Sequence, residues 1–209
     1  MFNLDYTAAK IFMFKKLEEE LSAELSYHGK HHTEDVLKVT TDLCVQEKIS
    51  AYETKLVKTA CLFHDAGFII NRLEHESHGC DLAKIYLPRF GYSNDEIMRI
   101  CGMIMATKIP QSPKNYLEEI ICDADLDYLG RDDFFKIGDS LFEELKTQGI
   151  ILDKNAWNEV QIKFLENHSF FTSTNIKRRT AKKQAHLAAL KMKNNSAIDN
   201  YPDETNKNL

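Results

Sequence analysis

Apolar residues recur at spacings of three and four through most of this chain, and the period-two alternation of strands is hard to find. The spacing predicts a first helix over residues 8–26, with Ile11, Phe12, Phe14, Leu17, Leu21 and Leu25 as its buried stripe. A second is predicted over 33–47, with Val36, Leu37, Val39 and Leu43 inward, and a third over 51–65, ended by a turn at Gly67. Six more follow over 75–90, 93–107, 116–126, 132–147, 155–167 and 176–192. Ser93-Asn94-Asp95-Glu96 is a strong helix start, with a capping hydroxyl and early acids. Pro110 and Pro113 mark a loop over 108–115. With no sheet to receive their apolar faces, these helices must pack on one another. The expectation is an all-α, compact multi-helix bundle over residues 4–193, followed by a polar tail, 194–209, too poor in large apolar side chains to fold.

Composition narrows the class. At 209 residues, with 43% hydrophobic and 28% charged residues, the chain suits one soluble globular domain. A formal net charge of -5 gives no global attraction to nucleic acid or anionic lipid, so neither is an expected partner. No apolar run approaches the ~20 residues of a membrane span, and the first residues lack a secretion-signal pattern. The five cysteines, Cys44, Cys61, Cys80, Cys101 and Cys122, are scattered through apolar runs with no Cys-x-x-Cys pair. They read as small core residues in a reducing cytoplasm, not as a zinc ribbon or redox motif.

The chemistry concentrates in His32, the doublet His64-Asp65 and Asp125. Imidazoles and carboxylates brought together hold a divalent cation, and a cation with open positions activates water. His28 and His32 share a face if both lie on one helical turn; His32 is then the ligand and His28 stands beside the site. Adjacent residues on an ideal helix point about 100° apart, so His64 and Asp65 reach one ion only if it sits where the helix ends. Asp125, from a later helix, completes two imidazoles and two carboxylates. That mixture suits Mn²⁺, Fe²⁺, Zn²⁺, Co²⁺ or Ni²⁺ better than Mg²⁺.

The ordered set His32, His64-Asp65, Asp125 resembles the HD superfamily of metal-dependent phosphohydrolases, named for its His-Asp doublet. Tyr27-His28-x-x-x-His32-Thr33, His75-Glu76-x-x-Gly79 and the segment at Ala124-Asp125 are similar to flanking segments of that family. The likeness spans residues 27–130. It implies a helical domain with a central metal, held by His32, His64, Asp65 and Asp125, that cleaves phosphomonoesters or phosphodiesters of small molecules, often nucleotides. His75 matches a ligand of a second ion in two-metal members. A further histidine of those members is replaced here by Lys108, which argues against a full two-metal set and against the oxygenase branch. The Gly-Tyr-Pro signature of the cyclic-dinucleotide branch is absent.

The resemblance suggests roles for catalytic residues. Asp65 aligns water, His28 protonates the leaving oxygen, being a group whose ordinary pKa lies near 6.5, and Lys108 offers a cation to the phosphate. The alternatives are a catalytically inactive nucleotide- or protein-binding module and, less favoured, a metal-dependent oxygenase. Asp123 and Asp127 read as partners of the ligands or as surface acids, with Asp127 a candidate to orient a histidine. His31 points away from the site. The basic run Lys177, Arg178, Arg179, Lys182, Lys183, Lys191 and Lys193 reads first as a solvated helix face and second as a strip for a nucleotide or nucleic-acid backbone. Trp157, Phe164, Phe170 and Phe171 read as core.

Overall fold

The computed structural model describes residues 4–199, with side chains to residue 194. Among these residues there are nine α-helices and no strand: α1 (Tyr6–Glu20), α2 (Lys30–Gln46), α3 (Ala51–Phe63), α4 (His75–Tyr86), α5 (Asn94–Ala106), α6 (Tyr116–Asp125), α7 (Phe134–Thr147), α8 (Lys154–Asn167) and α9 (Ser173–Asp199). Short 3-10 turns, Ala66–Ile69, Leu87–Phe90 and Asp127–Gly130, follow α3, α4 and α6. Side chains cap the helix starts. Ser50 accepts from Glu53 N, Asn115 from Leu117 N and Glu118 N, and Asp153 from Asn155 N and Ala156 N. Ser93 and Glu96 form a reciprocal capping box on α5.

Helix α3 is the hub, packed against α1, α2, α5 and α6. Leu56, Val57, Ala60, Cys61, Leu62 and Phe63 are all buried, and each large side chain among them contributes about 1.5–3 kcal/mol by leaving water. This core takes in α1 to α6. A second cluster joins Tyr27, Leu126, Leu129 and Phe134 to Leu165 of α8 and Leu187 and Leu190 of α9. All five cysteines are free and buried. No helix among the described residues is long and apolar enough to cross a membrane.

Four expectations change. The first helix stops at Glu20, and its fully buried line is Ala9, Met13 and Leu17; Ile11 is 67% exposed. The reason is that α1 is held on two sides, by α3 and by the segment carrying Tyr86 and Phe90, whose rings lie 4.8 and 5.5 Å from Phe12. Gly67 is not a left-handed turn. A Cβ there would lie 1.9 Å from the carbonyl oxygen of His75, so its role is to let α4 press onto the end of α3. Gly79 allows the same approach one turn on, where a Cβ would stand 2.4 Å from the Phe63 carbonyl oxygen. Finally, α9 runs past residue 193 to Asp199; residues 200–209 of the expected tail lie outside the described residues.

The basic helix pairs with acids of neighbouring elements, mostly at the surface. Arg178 pairs with Asp42, Arg179 with Asp127, Lys182 with Asp132 and Lys191 with Glu166, while Lys193 lies over the Phe135 ring. Lys183 is buried and donates to the carbonyls of Leu165 and His168 at the end of α8, where a cation meets the helix dipole. Asp123, fully buried, accepts from Phe171 N, Thr172 N and the Thr172 hydroxyl, and its own carbonyl accepts from Asn175. Burial raises its carboxyl to about 6 against those hydrogen bonds. Asp123 therefore ties the end of α6, which carries Asp125, to the start of α9.

His168, beside this junction, carries a testable consequence. Both ring nitrogens are buried without a partner, and burial, helped by the Lys183 charge, lowers its pKa to about 4. The unfolded chain binds the proton from the ordinary histidine value of 6.5 downward, the folded one only near 4. Stability is thus unaffected above pH 6.5 and falls as pH drops from there towards 4, by up to about 3 kcal/mol. In denaturant titrations at pH 7 and pH 4.5, His168→Phe should lose less stability on acidification than the wild type. An equal loss would show that His168 is not the group responsible.

Candidate metal centre

The end of α3 creates the site. His64 caps that helix and Asp65 starts the following 3-10 turn, so the two leave the helical register and both face α2 and α6. His32 lies in the first turn of α2 and Asp125 at the end of α6. His32 Nε2, His64 Nε2 and an Asp125 oxygen converge within 4.8 Å of one another. The separations are 3.3 Å between the two imidazole nitrogens, 3.1 Å from His32 to Asp125 Oδ1 and 3.5 Å from His64 to the same oxygen. Asp65 Oδ2 lies 3.2 Å from His64 Nε2 and 3.4 Å from His32 Nε2.

These distances match the edges of a coordination shell. Two donors each ~2.1 Å from one ion lie about 3.0 Å apart at right angles and about 3.4 Å apart at the tetrahedral angle. His64 Nδ1 donates to the Cys61 carbonyl at 2.8 Å, which leaves Nε2 as the free lone pair aimed at the centre. The donor set and its spacing fit a divalent transition-metal ion.

Electrostatics agree. Burial opposes charge on His64, but Asp65 and Asp125 outweigh it and hold the imidazole well above its ordinary range. Burial likewise opposes charge on Asp65 and Asp125, yet His64 and His75 hold Asp65 well below the carboxylate range, and His32 and His64 bring Asp125 to about 2. A cluster that draws protons this strongly onto its imidazoles is one in which a cation can replace them.

Around this centre stand the other expected residues. His75 Nδ1 donates to Arg72 O at 3.0 Å, and its Nε2 lies 3.5 Å from Asp65 Oδ1 and 3.4 Å from Glu76 Oε1. Asp65 thus turns one oxygen to the His32–His64 pair and the other to His75. His28 is not on α2. Gly29 caps that helix, and His28 comes from the preceding turn, its ring 6.2 Å from that of His32. His31 is exposed. Lys108 is half-buried, pairs with Glu74 at 2.8 Å and is not among the side chains lining the cavity; Arg72 is. Asp127 faces Arg179 at 2.7 Å and Arg131 at 3.7 Å rather than a histidine. Trp157 and Phe164 line the cavity as well as packing in the core.

Two neighbours escaped the sequence reading. Glu144, fully buried on α7, accepts from the backbone N–H groups of Tyr27 and His28 at 2.8 and 3.0 Å, and from His28 Nδ1 at 2.5 Å. Its carboxyl is lowered: burial works against it, and His28 with the two N–H groups prevails. The signal was an acid set on the apolar stripe of Ile137, Leu141 and Leu145. Phe68 is held between two histidines, its ring centre 4.2 Å from His28 and 4.3 Å from His75; nothing in its sequence context sets it apart from a core phenylalanine.

The helical arrangement is that of an HD-type bundle. The structure is similar to a protein described as a predicted HD superfamily hydrolase from an uncultured Thermotogales bacterium, with 16% identity, 95% of this chain and 96% of the other covered, and a TM-score of 0.60. It is also similar to a Lactobacillus plantarum protein, with 15% identity, 94% and 100% coverage, and a TM-score of 0.63. No family model and no curated protein matches the sequence.

Proposed function

We propose that this protein is a metal-dependent phosphohydrolase of small phosphorylated molecules, nucleotides being the class the sequence resemblance suggests. The observation that carries the reading is the convergence of His32, His64 and Asp125, with Asp65 beside both imidazoles, at the spacing of a coordination shell and at the wall of a cavity of about 270 Å³. His32, His64, Asp65 and Asp125 would hold the ion, and His75 with the outer oxygen of Asp65 offers a place for a second. A divalent cation there supplies Lewis acidity towards the phosphoryl oxygens and water already close to neutral in its pKa.

The chain's own groups do the rest. Asp65 accepts a hydrogen bond from the attacking water and aligns it on phosphorus. Arg72, which lines the cavity and has no ion-pair partner among the described residues, offers its guanidinium to the phosphoryl oxygens. Lys108 is left as a cation of the rim, held by Glu74. His28 gives a proton from Nε2 to the departing oxygen, and Glu144 holds the opposite nitrogen and orients the ring. The intact ligand cluster supports turnover over a binding-only role.

The test is hydrolysis of p-nitrophenyl phosphate and bis(p-nitrophenyl) phosphate with Mn²⁺, Fe²⁺, Zn²⁺, Co²⁺, Ni²⁺ and Mg²⁺ supplied in turn. Turnover of either ester with a transition metal is expected, and none with any metal would overturn the reading. Glu144→Gln separates positioning from structure. Because p-nitrophenolate leaves without a proton, kcat should fall less than about tenfold on p-nitrophenyl phosphate but about 100-fold on an alkyl phosphate. An equal fall on both esters would mean that Glu144 only supports the fold.

A further inference from the structure

The cavity has two unlike walls. One carries His28, His32, Asp65, Arg72 and Asp125. The other is built by α7 and α8, which pack on the 3-10 turn at Asp127–Gly130 and on α9 and meet each other where Phe142 and Leu145 pack with Trp157. It is lined by Leu141, Leu145, Val160, Phe164 and their neighbours. That wall holds no charged side chain. Its hydrogen-bonding groups are two: Trp157, whose Nε1 is buried without a partner, and Gln161, whose amide makes no hydrogen bond among the described residues. An indole N–H left dry costs about 1–3 kcal/mol unless something accepts from it.

We propose that the substrate is a phosphomonoester of an apolar alcohol that carries one hydrogen-bond acceptor towards its far end, and that α7 and α8 form the subsite for that alcohol. The proposal rests on the hydrolase reading above and sets an apolar alcohol in place of the nucleotide class. The phosphate sits against the charged wall, and the apolar body lies between Leu141, Leu145 and Phe164. The acceptor meets the Gln161 amide. Water adds to phosphorus, the P–O ester bond breaks, and the departing oxygen takes its proton from His28, giving inorganic phosphate and the free alcohol. A polyphosphate chain finds no cation on the far wall, and at about 270 Å³ the space is near the lower limit of small-molecule sites, ~300 Å³.

Trp157, the single tryptophan, reports on the subsite by its fluorescence. The Mn²⁺-loaded protein is titrated with methylphosphonate, hexylphosphonate, 5-oxohexylphosphonate and 1-hexanol. Each buried methylene should tighten binding about fourfold, so hexylphosphonate should bind at least about 100-fold more tightly than methylphosphonate and shift the Trp157 emission. The 5-oxo compound should gain about fivefold more, and Gln161→Leu should remove that gain. Val160→Trp, at a half-exposed position, should cut the hexyl-to-methyl ratio at least about tenfold. Equal affinity for methyl- and hexylphosphonate, with esters still hydrolysed, would overturn the subsite and leave the hydrolase standing. Hexanol binding as tightly as hexylphosphonate, with no ester hydrolysed, would overturn the hydrolase reading and the proposal with it.

Discussion

Asp65→Ala should lower kcat for phosphate-ester hydrolysis by at least about 10³-fold while the protein stays folded. Asp65 stands between the two imidazoles on one side and His75 on the other, so its loss removes a cation donor and the group that aligns water together. The fold survives because His64 keeps its bond to the Cys61 carbonyl and its contact with Asp125. A change of no more than a few degrees in Tm, with KM little altered, is the expected companion result. Loss of less than tenfold in kcat would remove Asp65 from the reaction.

Gly67→Ala should be the most destabilising small substitution in the chain. Its Cβ would meet the backbone of His75 at 1.9 Å, and no side chain can rotate to relieve the contact. The helix α4 must then move off α3, at a cost of about 3 kcal/mol or more. For a chain of this size that is a fall in Tm of roughly 6–12 °C. Because α4 carries His75 and Glu76, activity should fall even below the new Tm. Gly102→Ala is the milder comparison: its Cβ would meet only one side-chain oxygen, Glu118 Oε1, at 3.1 Å and no backbone, and helix propensity favours alanine. Thermal unfolding of the two variants side by side decides the matter. Equal Tm values would contradict the close packing of α3 and α4.

The helices were legible because their apolar positions keep a period near 3.6 and because side chains such as Ser93, Ser50 and Asp153 mark where they start. His32, His64 and Asp125 were legible as an ordered set, and the structure brings them within 4.8 Å. What a single sequence does not carry is which distant residue meets which. Glu144 reaches His28 across 116 positions, and its only local mark is an acid on an apolar stripe. Phe68 and Trp157 look like any core aromatic until the packing of α7 and α8 leaves a cavity beside them. The helix expected from residue 33 starts at Lys30 and takes in His32, while His28 stays in the turn before the Gly29 cap, so the two do not share a helical face. The basic C-terminal helix read first as a solvated face and second as a backbone-binding strip, and in the structure each of Arg178, Arg179, Lys182 and Lys191 is paired with an acid of another element. Charge pattern alone does not distinguish an external partner from an internal one.

Metal content is the most direct test of the central claim. The purified protein, reconstituted with Mn²⁺ or Fe²⁺ and freed of excess ion, is assayed by elemental analysis beside Asp125→Ala, and its affinity for the ion is measured across pH. The imidazole of His64 holds its proton well above the ordinary range in the metal-free protein. A cation must displace that proton, so affinity should rise with pH. The account predicts at least about one ion per chain, lost in the variant, with affinity weakening on acidification. Failure of the wild type to retain metal under any of these conditions would contradict it.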